Sequence, residues 1–331
     1  MSWRVSRRRL LAAGMAVTGG AWAQPGWPSR PLRIVVPYGP GGTTDMLARQ
    51  LVPDLQRLLG QPVHVDYKPG ADGNIGSVEV AKATDGHTLL MGTIGTHALN
   101  AVLSRRLPYD PMGDFAPVAL VAVVPLVLVI NPAVAAALGI RTVADLVRVA
   151  RAQPGRLHLA SAGNGTSSHL CGELFKKLTG TEMPHFPYRS AGPAQQDVVA
   201  GNMDLMFDSL PSALPQLRAG GLQALALSSA RRSPTVPDLP TLEEAGGAAL
   251  KGFEARAWFG LLAPAHQPPE QLARLQRDTA QVLAQPALRE RFTALGAQVG
   301  RATPTEFAAF MAAETMRWAR IVRQVGVKVD R

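Results

Sequence analysis

The sequence predicts an α/β protein with parallel-rich sheets, divided into two lobes that are joined by two crossover segments. Three observations predict this fold class. Apolar runs typical of buried strands alternate with helical patterns along the chain. A glycine-rich loop directly behind a strand occurs in both halves of the chain. The chain also leaves its first domain and later returns to it, which suits closure of two lobes about a hinge.

The first strand and the loop behind it are the most informative feature. Residues 32–36 read as a buried strand, residues 37–42 as a tight turn, and Thr43, Thr44 and Asp45 as the cap of the next helix. Glycines let the backbone approach a ligand, and the first turn of a helix carries unpaired N–H groups, so this loop can bind a carboxylate or phosphate without a basic side chain. It lacks the lysine of a P-loop and the third glycine of a dinucleotide fold, which disfavours nucleotides.

The same alternation continues to residue 96. A helix with a leucine face ends at Gly60, and residues 63–67 form the next strand. A second glycine-rich loop at 69–74 opens another helix, and a strand at 88–91 leads into the polar segment 92–96. This β-α-β-α-β order implies a parallel sheet, in which ligands gather at the carboxyl ends of the strands. The three loops are therefore expected to converge there.

A second domain repeats this arrangement. The apolar run at 118–130 reads as buried strands that cross into it, because Pro125 interrupts the run and a membrane span takes roughly 20 residues. A strand at 157–160 precedes the polar loop 161–169 and a helix with a leucine face. Further strands are predicted around Phe186, at 205–207 before Asp208, and at 222–228.

The final hundred residues read as a scaffold that packs back on the first domain. Helices are predicted at 269–283 and 286–295, and a capping box at 303–306, with proline at the first helical position, starts a helix to about residue 325. We therefore expect residues 24–122 and 230–331 to form lobe 1 and residues 123–229 to form lobe 2.

The first 23 residues read as a cleaved signal peptide. Residues 6–11 resemble the twin-arginine pattern S-R-R-x-F-L, an apolar stretch covers 10–17, and residues 21–23 form an A-x-A cleavage site. A basic amphipathic anchor is the alternative, but the apolar core is shorter than the roughly 20 residues that span a bilayer. We expect a periplasmic mature chain from Gln24. Because Leu10 replaces the usual Phe, an ordinary secretory signal stays open as the export route.

Composition excludes several function classes. Removing the four arginines of the signal lowers the formal charge from +10 to +6, and the remaining basic residues are dispersed. Aromatic residues make up 5%, too few for a nucleic-acid surface that stacks bases. The single cysteine, Cys171, cannot form an internal disulfide, and the histidines lack H-x-x-x-H spacing. We expect a soluble monomer with no nucleic-acid partner, no cofactor and no metal site.

Several short motifs, in their order and spacing, resemble a known family. They are PYGPGGTTD at 37–45, PG at 69–70 with GNIG at 73–76, GNGT at 163–166 with HL at 169–170, and MFD at 206–208 with PS at 211–212. Over essentially the whole mature chain they are similar to the Bug-type periplasmic solute-binding receptors of tripartite tricarboxylate transporters. Asp72, in a usually small loop, and His87, where a tyrosine is common, depart from the family pattern.

The resemblance implies a two-lobed type II periplasmic binding fold, the Venus-flytrap arrangement. A protein of this kind captures a small carboxylate and presents it to membrane transporter subunits. We expect the ligand to be a small organic anion: a di- or tricarboxylate, an acidic amino acid or an aromatic acid.

The ligand-binding residues are expected in the loops described above. Backbone groups of the first loop are expected to bind the carboxylate, and hydroxyls and N–H groups of later loops to add donors. For Asp45, capping of the helix is favoured over direct contact with the ligand. For Asp208, a hydrogen bond from a donor in the hinge is favoured over a contact with an amine of the ligand. His169 is expected to be buried and hydrogen-bonded, while Arg189 either counters a distal carboxylate or faces solvent. The nominated residues are Tyr38, Gly41, Gly42, Thr43, Thr44, Thr93, Thr96, Gly165, Thr166, Ser167, Tyr188, Ala191, Gly192 and Asp208.

Two other functions compete with transport. A periplasmic sensor that feeds a two-component system uses the same fold, and sequence alone does not separate it from a transport receptor. A hydrolase built on Ser167, Ser168 and His169 is disfavoured, because the run lacks the closing glycine of G-x-S-x-G and adjacent residues entering a helix cannot form a Ser–His pair. We therefore expect no catalytic residues.

Overall fold

The computed structural model describes residues 26–326 of the 331-residue chain. The signal peptide predicted at 1–23 and the mature N-terminus predicted at Gln24 lie outside these residues. Within 26–326, no helix is long and apolar enough to cross a membrane.

The first part of the chain alternates strands and helices. Its elements are β1 (Leu32–Val36), α1 (Thr43–Leu59), β2 (Val63–Tyr67), α2 (Asn74–Ala81) and β3 (Thr88–Thr93). β1 pairs in parallel with both β2 and β3. α1 buries a leucine face and ends at Gly60, which adopts the left-handed conformation with φ of 71°. The predicted β-α-β-α-β order and its parallel pairing are confirmed.

The middle of the chain begins with one long strand. The next elements are α3 (Asn100–Leu103), β4 (Phe115–Ile130), α4 (Pro132–Leu138) and α5 (Val143–Ala152). The apolar run predicted as buried strands is a single strand of 16 residues that continues through Pro125. α5 begins at a capping box in which Thr142 and Asp145 exchange hydrogen bonds with each other's backbone N–H groups.

A second alternation of strands and helices follows. Its elements are β5 (Leu159–Ser161), α6 (Ser167–Thr179), β6 (His185–Pro187), α7 (Ala191–Ala200), β7 (Leu205–Ser209), α8 (Leu210–Ala219) and β8 (Gln223–Leu227). β5 pairs in parallel with β6 and β7. The repeated strand–loop–helix arrangement is therefore present, with the loops again at the carboxyl ends of parallel strands.

The C-terminal part adds one more long strand and four helices. Its elements are α9 (Leu242–Gly246), β9 (Arg256–Pro264), α10 (Pro269–Ala284), α11 (Pro286–Ala294), β10 (Gln298–Val299) and α12 (Pro304–Val325). The predicted capping box is present, because the Thr303 hydroxyl accepts from the Glu306 N–H and the Glu306 carboxylate accepts from the Thr303 N–H. α10 packs against α1, and α12 packs against α3, β4 and α6.

Ten strands of the described chain form one sheet in the order β2-β1-β3-β9-β4-β7-β5-β6, with β8 and β10 also paired to β4. The outer pairs are parallel, whereas the centre is antiparallel because β9 lies between β3 and β4 and runs against both. β4 joins the two halves of the sheet. Its residues up to Pro125 pair with β9, and its residues from Leu126 pair with β7 and β8.

The connection back from the second half lies near β9. Ser228 accepts a hydrogen bond from the Ala255 N–H at 2.9 Å, and its hydroxyl donates to the Ala255 carbonyl. Between these residues, α9 contacts α5 and β8, which belong to the second half of the sheet. The lobe boundary at 229/230 stays a prediction, and these contacts place α9 beside the second half.

Candidate ligand-binding site

Loops from both halves of the sheet line one cavity of about 100 Å³. Pockets that hold drug-sized ligands measure about 300–1,000 Å³, so this cavity suits a small molecule. No lysine, arginine or histidine is among its lining residues in the described chain. The lining residues are Tyr38, Gly39, Gly42, Thr43, Thr44, Thr93, Ile94, Gly95, Leu126, Ala162, Thr166, Ser167, Ser168, Ser190, Ala191, Gly192, Asp208, Ser209, Ala257 and Phe259.

The N-terminus of α1 meets the cavity without a side-chain cap. Gly42 is its N-cap residue, in extended conformation with φ of −83°, and the next two residues, Thr43 and Thr44, line the cavity. The first N–H groups of a helix have no intrahelical partner and carry partial positive charge. This end of α1 therefore presents open donors to the cavity.

Asp45 fixes this turn and does not line the cavity. Its carboxylate accepts from the Gly41 N–H at 2.9 Å, from Arg49 Nε at 2.7 Å and from the Tyr67 hydroxyl at 2.7 Å. The N–H of Gly41 is thereby engaged, and Gly41 itself is absent from the lining. Contrary to the expected capping, Asp45 makes no cap hydrogen bond to α1, because its carboxylate binds the N–H of Gly41, one residue before the N-cap Gly42.

Two more helices point their N-termini at the same cavity. α6 contributes Ser167 and Ser168, and α7 contributes Ala191 and Gly192. The Thr166 side chain caps α6 by accepting from the His169 N–H, whereas no side chain caps α7. Three helix N-termini, one from the first half of the sheet and two from the second, thus converge on a single space. Such a convergence favours a bound anion.

A small hydroxyl network forms the wall on the first half. The Tyr38 hydroxyl lies 3.2 Å from Thr93 Oγ1, which accepts from the Gly95 N–H at 3.1 Å. Thr96 supports this wall from behind: its hydroxyl accepts from the Thr93 N–H at 3.0 Å, and the residue is fully buried outside the cavity lining. A Cβ at Gly95 would lie 2.7 Å from the Tyr38 hydroxyl, so glycine makes room for the tyrosine.

In the second half, His169 lies behind the cavity. Its Nδ1 accepts from the Gly165 N–H at 3.0 Å, which places the proton of the neutral ring on Nε2. The ring stacks on His185 with centroids 4.0 Å apart. The histidine is buried and hydrogen-bonded, as expected, and neither it nor Gly165 lines the cavity.

One group of side chains bears on the expectation that the protein has no metal site, because its members are residue types that bind metal ions. Donor atoms of His169, Glu173 and His185 all lie within 4.8 Å of one another. The Lys176 ammonium lies 2.7 Å from the Glu173 carboxylate, and His169 Nε2, the protonated nitrogen, faces that carboxylate at 3.6 Å. A metal ion would have to displace the ammonium and reverse the His169 tautomer, which would break its bond to Gly165. The group is accordingly explained by its internal ion pair and hydrogen bonds.

The loop before α7 lines the cavity with a residue other than the one that the sequence predicted. The Tyr188 hydroxyl donates to Asp197 at 2.5 Å, and Tyr188 does not line the cavity, whereas Ser190 does. Burial and the Asp197 carboxylate raise the pKa of Tyr188 to about 12. Arg189 is exposed and lies outside the lining.

Asp208 is the acidic residue of the cavity wall. It is 2% exposed, and its carboxylate accepts from Gln195 Nε2 at 2.7 Å and from the Ser209 N–H at 2.8 Å. Burial raises the pKa of Asp208 to about 6. Both donors belong to the second half of the sheet, so these bonds hold the carboxyl within that half.

The two halves touch at the rim of the cavity. Thr43 Oγ1 and Ser209 Oγ lie 2.5 Å apart, which joins the N-terminus of α1 to that of α8. The Asp72 carboxylate lies against Gly163, where a Cβ would be only 3.1 Å from Asp72 Oδ1. These contacts link the two halves of the sheet across the rim of the cavity.

Several lining residues were missed by sequence reasoning. Most of them are chain neighbours of nominated residues, and Ala162 lies in the same loop as Gly165, so the correct loops could have suggested them; the neighbours are Gly39, Ile94, Gly95, Ser168, Ser190 and Ser209. Leu126, Ala257 and Phe259 lie on the central strands β4 and β9, and no local pattern marks those positions as cavity wall.

Residues 47–327 match the family model described as the tripartite tricarboxylate transporter family receptor. The chain belongs to this family. It is 38% identical over 305 residues to the protein BugT of Bordetella pertussis, an alignment that covers 92% of this chain and 91% of BugT. The Bug-type resemblance read from the motifs is confirmed.

Solved structures of similar proteins share the fold. The R. palustris protein Rpa4515, solved with adipate, superimposes with a TM-score of 0.87 at 36% identity and covers 91% of this chain and 99% of its own. MatC from Rhodopseudomonas palustris, with bound malate, gives a TM-score of 0.82 at 35% identity and covers 89% and 100%. The predicted two-lobed type II periplasmic binding fold is confirmed, and the family consists of periplasmic solute-binding receptors.

Proposed function

We propose that this receptor binds one small organic anion by its carboxylate and presents it to the membrane subunits of a tripartite tricarboxylate-type transporter. One observation carries the proposal: three helix N-termini from both halves of the sheet meet at a cavity whose lining, in the described chain, includes no cationic side chain. Helix N–H groups bind anions without a basic residue. The adipate and malate in the two similar structures support a di- or tricarboxylate over an acidic amino acid or an aromatic acid.

Within the site we assign the direct contacts by position. The N–H groups at the start of each helix hold the ligand carboxylate, with hydroxyls of the same turns adding donors. Gly41, Thr96, Gly165 and Tyr188 act by shaping the loops, since all four lie outside the lining. The direct contacts are Tyr38, Gly42, Thr43, Thr44, Thr93, Thr166, Ser167, Ser168, Ser190, Ala191, Gly192, Asp208 and Ser209.

Ligand capture uses two lobes that close on each other. We place lobe 1 at residues 26–125 and 256–326, and lobe 2 at residues 126–255, which moves the return from 230 to 256 because α9 contacts α5 and β8. The hydrogen bond between Thr43 and Ser209 and the contact between Asp72 and Gly163 then form on closure. In the cell the mature receptor acts in the periplasm as a monomer, after cleavage of a twin-arginine signal at residue 23.

The rival functions receive less support. Family membership favours transport over signalling. A hydrolase would need a base beside its nucleophile, but Ser168 donates to the Phe207 carbonyl, and His169, whose Nδ1 is bound to Gly165, lies outside the cavity that Ser167 lines. Ser161 lies 2.6 Å from His185 Nε2, yet Ser161 is fully buried and outside the cavity lining. We infer binding without turnover.

Thermal unfolding with a ligand panel tests the proposal. The mature protein is mixed with adipate, malate, citrate, glutamate and benzoate in turn. A ligand at 100 times its dissociation constant stabilises the folded state by roughly 2.7 kcal/mol, which raises the Tm of a chain of this length by about 4 °C. No shift with any acid would contradict carboxylate binding.

Glycine variants locate the site. At Gly42 and Gly192 a Cβ would meet nothing within 4 Å, and neither φ lies in the left-handed region, so Gly42→Val and Gly192→Val should both fold. Because both residues line the cavity, the ligand-induced shift should disappear. Gly26→Val, also in open space but outside the lining, is the matched control and should keep the shift. If both cavity variants kept the full ligand-induced rise in Tm, the ligand would have to bind outside this cavity.

A further inference from the structure

We propose that Asp208 makes the binding of a second carboxylate proton-dependent: a dicarboxylate enters the cavity together with one proton, which Asp208 and the ligand's second carboxyl group share. This inference rests on the proposed function, since it assumes that the first carboxylate is held by the helix N-termini. In this scheme Asp208 distinguishes dicarboxylates, which bind together with a proton, from monocarboxylates, which bind without one.

The position of Asp208 supports this role. It stands near the end of β7, beside the N-termini of α7 and α8, and lines the cavity with 2% of its surface exposed. Gln195 Nε2 donates to Oδ2 at 2.7 Å and the Ser209 N–H donates to Oδ1 at 2.8 Å. Each carboxylate oxygen has a second lone pair, so a shared proton can be held without breaking either bond.

The surroundings of this carboxyl group are neutral. α7 contributes Gln195, α8 contributes Ser212, and β4 places Val127 opposite Asp208 in the sheet register. α6 contributes Ser168, whose hydroxyl is bound to a main-chain carbonyl, and α1 contributes Thr43, bound to Ser209. Within residues 26–326, every group found to act on the Asp208 carboxyl is uncharged. A ligand carboxylate therefore meets an acid that no cation compensates.

Two carboxylates that share a buried site cannot both stay ionised, so the pair takes up one proton. The proton comes from solvent when the dicarboxylate binds and returns to solvent when it leaves. Burial, partly offset by the hydrogen bonds to the carboxylate, already raises the pKa of Asp208 to about 6 without a ligand, so protonation near neutral pH needs little further change. A ligand with one carboxylate leaves Asp208 as it is and binds without a proton.

Isothermal titration calorimetry of the full mature protein tests the inference. Adipate is compared with hexanoate, which has the same six carbons and one carboxylate, and malate with 3-hydroxybutyrate. Titrations in phosphate and in Tris at pH 7.5 give the number of protons taken up, because the two buffers have different ionisation heats. We expect about one proton per dicarboxylate, none per monocarboxylate, and a Kd for the dicarboxylate that rises up to tenfold per pH unit above pH 7.

Two variants assign the effect to a residue. Asp208→Asn should abolish proton uptake and flatten the pH dependence of the dicarboxylate Kd. Asp197→Asn is the matched control, because Asp197 also lies on the second half but outside the lining, and it should keep the wild-type proton count. If Asp208→Asn does not fold, the proton count of the wild-type protein decides.

The outcomes separate the inference from the proposed function. Dicarboxylate binding without proton uptake, or with unchanged uptake in Asp208→Asn, overturns the role of Asp208 and leaves carboxylate binding intact. Binding of the monocarboxylates alone, with no dicarboxylate bound between pH 5.5 and 8.5, does the same. Failure of all four acids to bind overturns the inference together with the function on which it rests.

Discussion

The buried carboxyl of Asp208 should destabilise the unliganded protein at neutral pH, and Asp208→Asn should relieve that cost. Burial raises the pKa of this group from 3.8 to about 6 in the folded state. Between pH 4 and 6 the folded protein keeps a proton that the unfolded chain has released, so the free energy of unfolding falls as pH rises through this window. Above about pH 7 the loss is complete and constant.

The size of this destabilisation follows from the pKa shift of Asp208. A difference of about two pKa units, at 1.36 kcal/mol each, corresponds to about 3 kcal/mol at pH 7. An asparagine keeps the volume, but its NH₂ group faces one of the two donors, Gln195 Nε2 or the Ser209 N–H, and a lost hydrogen bond costs about 1 kcal/mol. We therefore expect the variant to be about 2 kcal/mol more stable than wild type at pH 7 and about 0.5 kcal/mol less stable near pH 4.

Urea unfolding followed by tryptophan fluorescence at several pH values between 4 and 8 measures this difference. The two stability curves should cross near pH 4.5, roughly where the wild-type loss equals the cost of the hydrogen bond lost in the variant. Asp197→Asn, which removes a carboxylate outside the cavity lining, should show no such crossing. If Asp208→Asn were the less stable protein at every pH, the Asp208 carboxylate would be favourably solvated by its donors, and the reasoning from burial would be wrong.

Three further changes have expected outcomes. Gly260→Ala should lower the free energy of unfolding by roughly 1–3 kcal/mol in urea, because a Cβ there would lie 2.1 Å from the ring of Phe307. Thr303→Ala should lower the free energy of unfolding, measured by thermal melting, by about 1 kcal/mol, since it removes the side-chain cap of α12. Replacing both Arg7 and Arg8 by lysine should leave the precursor in the cytoplasm, as cell fractionation would show, if the signal uses the twin-arginine route.

Controls accompany these changes. Gly26→Ala enters open space, and Thr305→Ala removes an exposed threonine next to the cap, so neither should change stability by more than about 0.5 kcal/mol. An unchanged Gly260→Ala would mean that Phe307 moves aside at little cost. Normal export of the double lysine variant would assign the signal to the ordinary secretory route.

Elements with strong local signals were predicted well. β1, α1 and β2 lie where the apolar patterns place them, α1 ends at its glycine, and α12 begins at its capping box. Each of these signals is made by residues within a few positions of one another, so the sequence displays them directly. β9 was not predicted, because its central place depends on pairing with β3 and β4, which lie more than 120 residues earlier in the chain.

Within the candidate site, the sequence identified the loops better than the individual residues. Gly41 and Gly165 were nominated as donors, but each N–H is bound by a side chain one turn further on, Asp45 and His169. Ser190 lines the cavity where Tyr188 was expected, because the tyrosine turns to Asp197. Which donors stay open depends on side-chain contacts that no short motif records.

The sequence by itself determined the alternation of strands and helices, the glycine-rich loops at the carboxyl ends of parallel strands, and the motif pattern that identifies the family. These features are local, because periodicity, caps and tight turns depend on neighbouring residues. Tertiary structure decided that β9 completes the centre of the sheet, that three helix N-termini share one cavity, and that Asp208 is buried in its wall. The physical reason is that strand pairing, open donors and desolvation arise only when residues distant in the chain come into contact.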